Sequence, residues 1–191
     1  MKTQTVKQVL RDFVPPILMR SRYQRKMKQK GHQQPSNYYD KRRQKAEGRG
    51  QMSRLLYDKR ITHYLGFDFS HEAIGIAKEK NDDLITSEFN FEVADAFETK
   101  LYYSHSYDAV VCTEFLEHIE SDLKVIEKIP TGKHFYGSVP NYGCRSHVRF
   151  FDSNDDVAER YRQYFHSFTV DCFNLSSSGD RAIYILSGIT R

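Results

Sequence analysis

Two rhythms of apolar and polar positions alternate along the chain. In VKQVLRDFVPPILM, Val6, Val9, Leu10 and Phe13 recur at helical spacing and the run stops at Pro15–Pro16, which predicts a short amphipathic helix. From Arg20 to Arg49 no sustained period of 2 or 3.6 exists, as expected of a linker. QMSRLLYDK then predicts a helix through Met52, Leu55 and Leu56, and THYLGFD a strand ending at Asp68. Ser70 has the chemistry of an N-cap for HEAIGIAKEK, with an apolar face of Ala73, Ile74, Ile76 and Ala77. FNFEVAD alternates as a strand ending at Asp95. YDAVVCT, residues 107–113, reads as a buried strand, because an apolar run between polar flanks leaves no face for water. Phe115, Leu116, Ile119, Leu123, Ile126 and Ile129 repeat at three and four, predicting one helix over FLEHIESDLKVIEKI that Pro130 and Gly132 end. KHFYGSVP predicts a strand, NYGCRSHVRFFD a loop, and DDVAERYRQYF a helix capped by Ser153. SFTVDCF and AIYILSGI are strands about the turn-like SSSGD.

Strands alternating with helices and closing on two turn-linked strands predict an α/β fold with a mostly parallel sheet and a C-terminal antiparallel hairpin. At 191 residues the chain holds one such domain, residues 47–191, behind an extension, residues 1–46. Charge divides at nearly the same place. Residues 1–60 carry 17 Lys/Arg against 4 Asp/Glu, whereas the rest carries 12 against 21. A basic arm on an acidic body suits an anionic partner such as nucleic acid, lipid headgroups or a phosphorylated substrate, with a solvated tail as the alternative. No apolar run is long enough to span a membrane and no secretory leader is evident, so a cytoplasmic location is expected. Cys112, Cys144 and Cys172 are widely spaced, which argues against a disulfide framework and a zinc site.

In parallel sheets ligands gather outside the carboxyl ends of the strands, where Asp68, Asp95, Thr113–Glu114 and Pro140–Asn141 stand. An acid following a glycine turn and a strand can accept from both hydroxyls of a ribose, and Asp68 lies 20 residues after Gly48 and 18 after Gly50. Alternatively, Asp68 only complements the dipole of the helix opening at Ser70. Glu117 and His118 are candidates for acid–base chemistry, or simply polar positions on a helix that buries Leu116 and Ile119. Nothing in the scatter of Asp and His suggests a metal.

GRGQMSRLLYDKRITHYLGFDFSHEAIGIAKEK, FEVADAFE and YDAVVCTEFLEHIESD, in that order and spacing, resemble class I S-adenosylmethionine-dependent methyltransferases over about residues 48–190. The resemblance implies their Rossmann-like sheet and S-adenosyl-L-methionine as cofactor. Within GFDFSHEAI, Asp68 would bind the ribose with Phe69 beside it. In ADAFE, Asp95 would meet the adenine amino group and Ala96 would offer its N–H to the ring. In TEFLEH, Thr113 and Glu114 would face the methionine end, with His118 as a base near the acceptor. SVPNYGCRSHVRFF is similar to a loop that lines the acceptor pocket in a subset of the family. It brings in Asn141, Tyr142 and Arg149 as ligands of a polar acceptor, Arg149 being suited to carboxylate or phosphate, and His147 as a second candidate base.

The sequence departs from the family at the first motif. An apolar strand should run into an acid and three spaced glycines, but QKAEGRGQMSRLL retains only Glu47, Gly48 and Gly50, and YYDKRRQKA is too charged for a central strand. The central first strand is therefore expected to be missing or replaced, which points to an internal deletion. The implied activity is methyl transfer to oxygen or nitrogen of a small polar metabolite or a saccharide, with residues 1–30 able to rest on an anionic membrane surface. The alternative is a catalytically inactive member of the fold that binds a partner through its basic arm. A nucleic-acid role ranks last, because no Asn/Asp-Pro-Pro-Tyr/Phe signature follows the fourth strand.

Overall fold

The computed structural model describes residues 51–175 and 180–191, which divide into two compact units, residues 51–99 and residues from 100 onward. The predicted N-terminal helix, the basic linker, Glu47, Gly48, Gly50 and most of SSSGD lie outside the described residues.

The first unit runs α1 (Gln51–Asp58), β1 (Tyr64–Asp68), α2 (His71–Lys80), a 3₁₀ turn (Asp82–Leu84) and β2 (Phe89–Val93). β1 and β2 pair in parallel from Tyr64 opposite Phe89 to Asp68 opposite Val93. α2 begins where Ser70 Oγ accepts the Ala73 N–H at 3.1 Å, and it buries Ala73, Ile74 and Ala77. Ile74 and Ala77 join Leu84, Phe89 and Phe91 in a core against which Tyr64 packs, its ring 5.0 Å from Phe89. At the far end of α2 the buried Asn81 turns its amide NH₂ onto the Ala77 carbonyl at 2.8 Å and accepts the Ser53 hydroxyl at 3.3 Å. β2 stops at Val93, two residues before the predicted Asp95, because backbone pairing ends as the Asp95 carbonyl takes the N–H groups of Glu98 and Thr99 to form a turn.

The second unit contains α3 (Leu101–Ser104), β3 (Ala109–Cys112), a 3₁₀ turn (Leu116–His118), α4 (Asp122–Glu127), β4 (His134–Pro140), α5 (Asn154–Tyr161), a second turn (Arg162–Tyr164), β5 (Phe165–Asn174) and β6 (Ala182–Thr190). Its sheet runs in the order β3-β4-β6-β5, with β3 parallel to β4 and the C-terminal hairpin antiparallel. Phe135, Val139, Val157, Tyr161, Phe165 and Leu186 fill its core. β3 stands at one end of this order and its four residues are half-buried, not fully enclosed as an all-apolar run predicts. The single helix expected over residues 115–129 is two pieces. Ile119 is extended (φ −116°, ψ 136°), so the backbone leaves the helix between the turn and α4.

Candidate functional site

The paired ends of β1 and β2 present the first set of predicted residues. Asp68 closes β1, and its Oδ1 accepts the Ser70 N–H at 2.9 Å, which fixes the carboxylate at the strand end. Asp95 lies two residues past β2, exposed, with its Oδ1 on the Phe97 N–H at 2.7 Å, and Ala96 is inside that turn. Phe69 and Val93, respectively next to Asp68 in sequence and opposite it in register, are 38% and 40% exposed. Exposed apolar surface beside two oriented carboxylates suits a nucleoside, whose ribose offers hydroxyl donors and whose base offers a flat face.

The second unit gathers the acid and histidine candidates. Thr113 and Glu114 follow β3, and Glu114 adopts a left-handed backbone (φ 53°), a conformation that non-glycine residues hold at a cost and that recurs at functional sites. Its N–H donates to the Ser138 hydroxyl on β4 at 3.1 Å, while its Oε1 is sealed from solvent without a hydrogen-bond partner. Burial raises the Glu114 carboxyl, and the nearby His147 partly counters it. Glu117 is fully buried and neither carboxylate oxygen has a hydrogen-bond partner. Desolvation and the neighbouring Glu114 hold its carboxyl well above the usual range.

His118 and His147, far apart in sequence, meet with ring centroids 4.9 Å apart. Each Nδ1 lies 3.0 Å from a backbone carbonyl, of Ser146 and Tyr142 respectively. A carbonyl only accepts, so both Nδ1 atoms carry the proton and both Nε2 atoms are the basic nitrogens. Burial lowers the His147 pKa, keeping that imidazole neutral. The ligand-type atoms of Glu117, His118 and His147 all lie within 4.8 Å of one another.

The loop after β4 divides its labour. Tyr142 sits beside His147 with the Arg181 guanidinium 4.9 Å over its ring. Asn141 is built into the sheet, its Oδ1 accepting the Ala182 N–H at 2.7 Å and its own N–H donating to the Ala182 carbonyl. Arg149, expected at an anionic acceptor, instead donates to the carbonyls of Leu116, Ile119 and Glu120 and approaches Asp122 at 3.3 Å. The guanidinium thus satisfies carbonyls that the break between the turn and α4 leaves without helical partners.

Residue patterning did not single out Asp122, Arg160 and Tyr161. Asp122 is fully buried and accepts from Arg160 at 2.9 and 2.6 Å and from the Tyr161 hydroxyl at 2.7 Å. Nor did it single out Ser138 or the burial of Glu117. The acid at each of positions 114, 117 and 122 was the available signal, since three acids around an otherwise apolar helix pattern need partners if they turn inward.

Residues 48–176 match the family described as "Methyltransferase domain". No curated protein sequence matches the chain. Among solved structures, the chain is similar to the N-methyltransferase NodS from Bradyrhizobium japonicum WM9 in complex with S-adenosyl-L-homocysteine, at TM-score 0.52 and 14% identity over 67% of this chain and 66% of that one. It is similar to the N-terminal domain of EvdMO1 with S-adenosylhomocysteine bound, at TM-score 0.56 and 14% identity over 75% and 71% of the two chains. The [4+2]-cyclase SpnF gives TM-score 0.58 and 13% identity over 75% and 72%. Identities this low speak to the fold alone, an α/β Rossmann-like one, and the chain spans just under two thirds of the length of NodS.

Proposed function

This chain belongs to the methyltransferase domain family, and we propose that it transfers the methyl group of S-adenosylmethionine to an oxygen or nitrogen of a small polar acceptor, with saccharides the first class to try. The observation that carries the reading is the convergence of His118 and His147 on buried Glu117, each imidazole holding its Nδ1–H on a backbone carbonyl. Deprotonating or polarising an acceptor hydroxyl or amine is the one chemical task such a reaction leaves to side chains. The cofactor, when bound, supplies an already activated methyl sulfonium, so the remaining work is alignment.

Asp68 and Asp95 are the residues to hold the ribose and the adenine amino group, with Phe69 as apolar support and Ala96 offering a backbone N–H. In the second unit, Thr113 and Glu114 are assigned to the methionine end, and Tyr142 and Asn141 to the acceptor. His118 and His147 act on the acceptor's ionisable hydrogen. Arg149 enters indirectly, by holding the turn that carries Glu117 and His118. Residues 1–46 are assigned as an extension whose basic residues 1–30 meet an anionic membrane surface.

Titration calorimetry of the full chain with S-adenosylhomocysteine, with Asp68→Ala as control, tests the cofactor half. Micromolar binding lost in the variant supports it; a cooperatively folded protein that binds nothing overturns it. A second reading, a fold retained without methyl transfer and used with the basic arm as a binding module, draws on the likeness to SpnF, a structure of the same architecture described as a cyclase. Absence of S-adenosylhomocysteine binding favours that reading.

A further inference from the structure

Two buried acids of the second unit are treated in opposite ways. Asp122 has three donors within 2.9 Å and a second guanidinium close by, which is how a folded protein satisfies a buried carboxylate. Glu117, equally inaccessible, has no hydrogen-bond partner on either oxygen. Its nearest basic atom, Nε2 of His118, is 3.9 Å away, beyond hydrogen-bond reach. Protonation does not resolve the mismatch, because a neutral carboxyl would still bury an O–H without an acceptor.

A cation placed among these atoms does resolve it. A carboxylate oxygen of Glu117 and one ring nitrogen each of His118 and His147 lie within 4.8 Å of one another, so a small closure of the side chains brings all three onto one ion. Both imidazoles share a feature of metal ligands, an Nδ1–H held on a backbone carbonyl, which leaves Nε2 as the nitrogen that carries the lone pair. Glu114, whose Oε1 is also sealed without a hydrogen-bond partner, interacts electrostatically with Glu117 and His147. The His118 side chain is 21% exposed, which leaves an entry path and room for a water or an acceptor oxygen on the ion.

We propose that Glu117, His118 and His147 bind a divalent transition-metal ion. Two imidazole nitrogens with carboxylate oxygen favour ions of the Zn²⁺, Mn²⁺ or Fe²⁺ type over Mg²⁺, which takes oxygen ligands almost exclusively. The ion's place in methyl transfer rests on the reading above, and there the two histidines act on the acceptor through the metal. Metal binding itself does not depend on that reading.

The test uses the full chain, stripped with chelator and titrated with ZnCl₂, MnCl₂ and MgCl₂ by calorimetry, with CoCl₂ for the visible spectrum. One equivalent of Zn²⁺ or Mn²⁺ is expected, with Mg²⁺ much weaker and a Co²⁺ ligand-field band in the visible. Glu117→Gln and His147→Ala are each expected to weaken binding at least tenfold and abolish the band. Glu117→Gln preserves shape and breaks no hydrogen bond, so it folds, and loss of metal from it reports the ligand directly. No stoichiometric ion on the wild-type chain overturns the proposal, and so does equal affinity in the two variants, which would put the ion on exposed histidines elsewhere. S-adenosylhomocysteine binding measured on the metal-free sample separates this outcome from failure of the cofactor assignment.

Discussion

At the residue scale, partners decide what a buried charge does. Removing Asp122 leaves the Arg160 guanidinium, the Tyr161 hydroxyl and one side of Arg149 without their acceptor, so Asp122→Ala is expected to cost about 3–5 kcal/mol, read from urea unfolding. Glu117→Gln is expected to leave the stability of the metal-free protein unchanged or raised, because no hydrogen bond is lost and an amide carries no charge to desolvate. A loss from Glu117→Gln comparable with that from Asp122→Ala would mean that Glu117 has a structural partner after all. The opposite expectations for two fully buried acids come from their surroundings. Sequence shows both only as acids near an apolar repeat.

At the element scale, local signals and packing each control particular boundaries. Ser70 caps α2 as the sequence predicts, and Ser70→Ala is expected to lower stability by about 0.5–2 kcal/mol in thermal or urea melts. Gly188 in β6 faces Phe135 in register, and a Cβ there would come within 2.9 Å of the Phe165 Cβ, an atom fixed by its own backbone. Gly188→Ala is therefore expected to cost about 1–3 kcal/mol by overpacking, and an unchanged melt would show that β5 can shift. The predicted helix over residues 115–129 failed for a different reason. Its apolar spacing is helical, and Leu116, Ile119, Ile126 and Ile129 are indeed buried, but the backbone is extended at Ile119 and the carbonyls around it are met by Arg149. Periodicity counts side chains and cannot see a guanidinium arriving from thirty residues away.

At the scale of the whole molecule, charge is the property that composition exposes most directly. With 17 basic and 4 acidic residues in the first 60, the full chain is expected to co-sediment with anionic phosphatidylserine vesicles at low salt and to be released as salt rises. Retention that ignores salt, or no retention, removes the electrostatic membrane role. No helix among the described residues is long and apolar enough to cross a membrane. The described strands form two sheets, β1-β2 and β3-β4-β6-β5, and the segment expected to hold the first motif falls outside the described residues.

The sequence by itself determined the succession of strands and helices apart from α3 and the break within 115–129, the caps at Ser70 and Ser153, the antiparallel C-terminal pair and the family, because each is written in contiguous stretches whose period, capping chemistry or motif is local. It also named both histidines. Only the tertiary structure brought His118 and His147 together, buried Glu117 between unmet needs, and turned Arg149 from an acceptor ligand into the clamp of a turn. Those outcomes depend on which distant groups share a low-dielectric space, and neither spacing nor residue type specifies that until β3 and β4 have paired and the loop after β4 has closed over them.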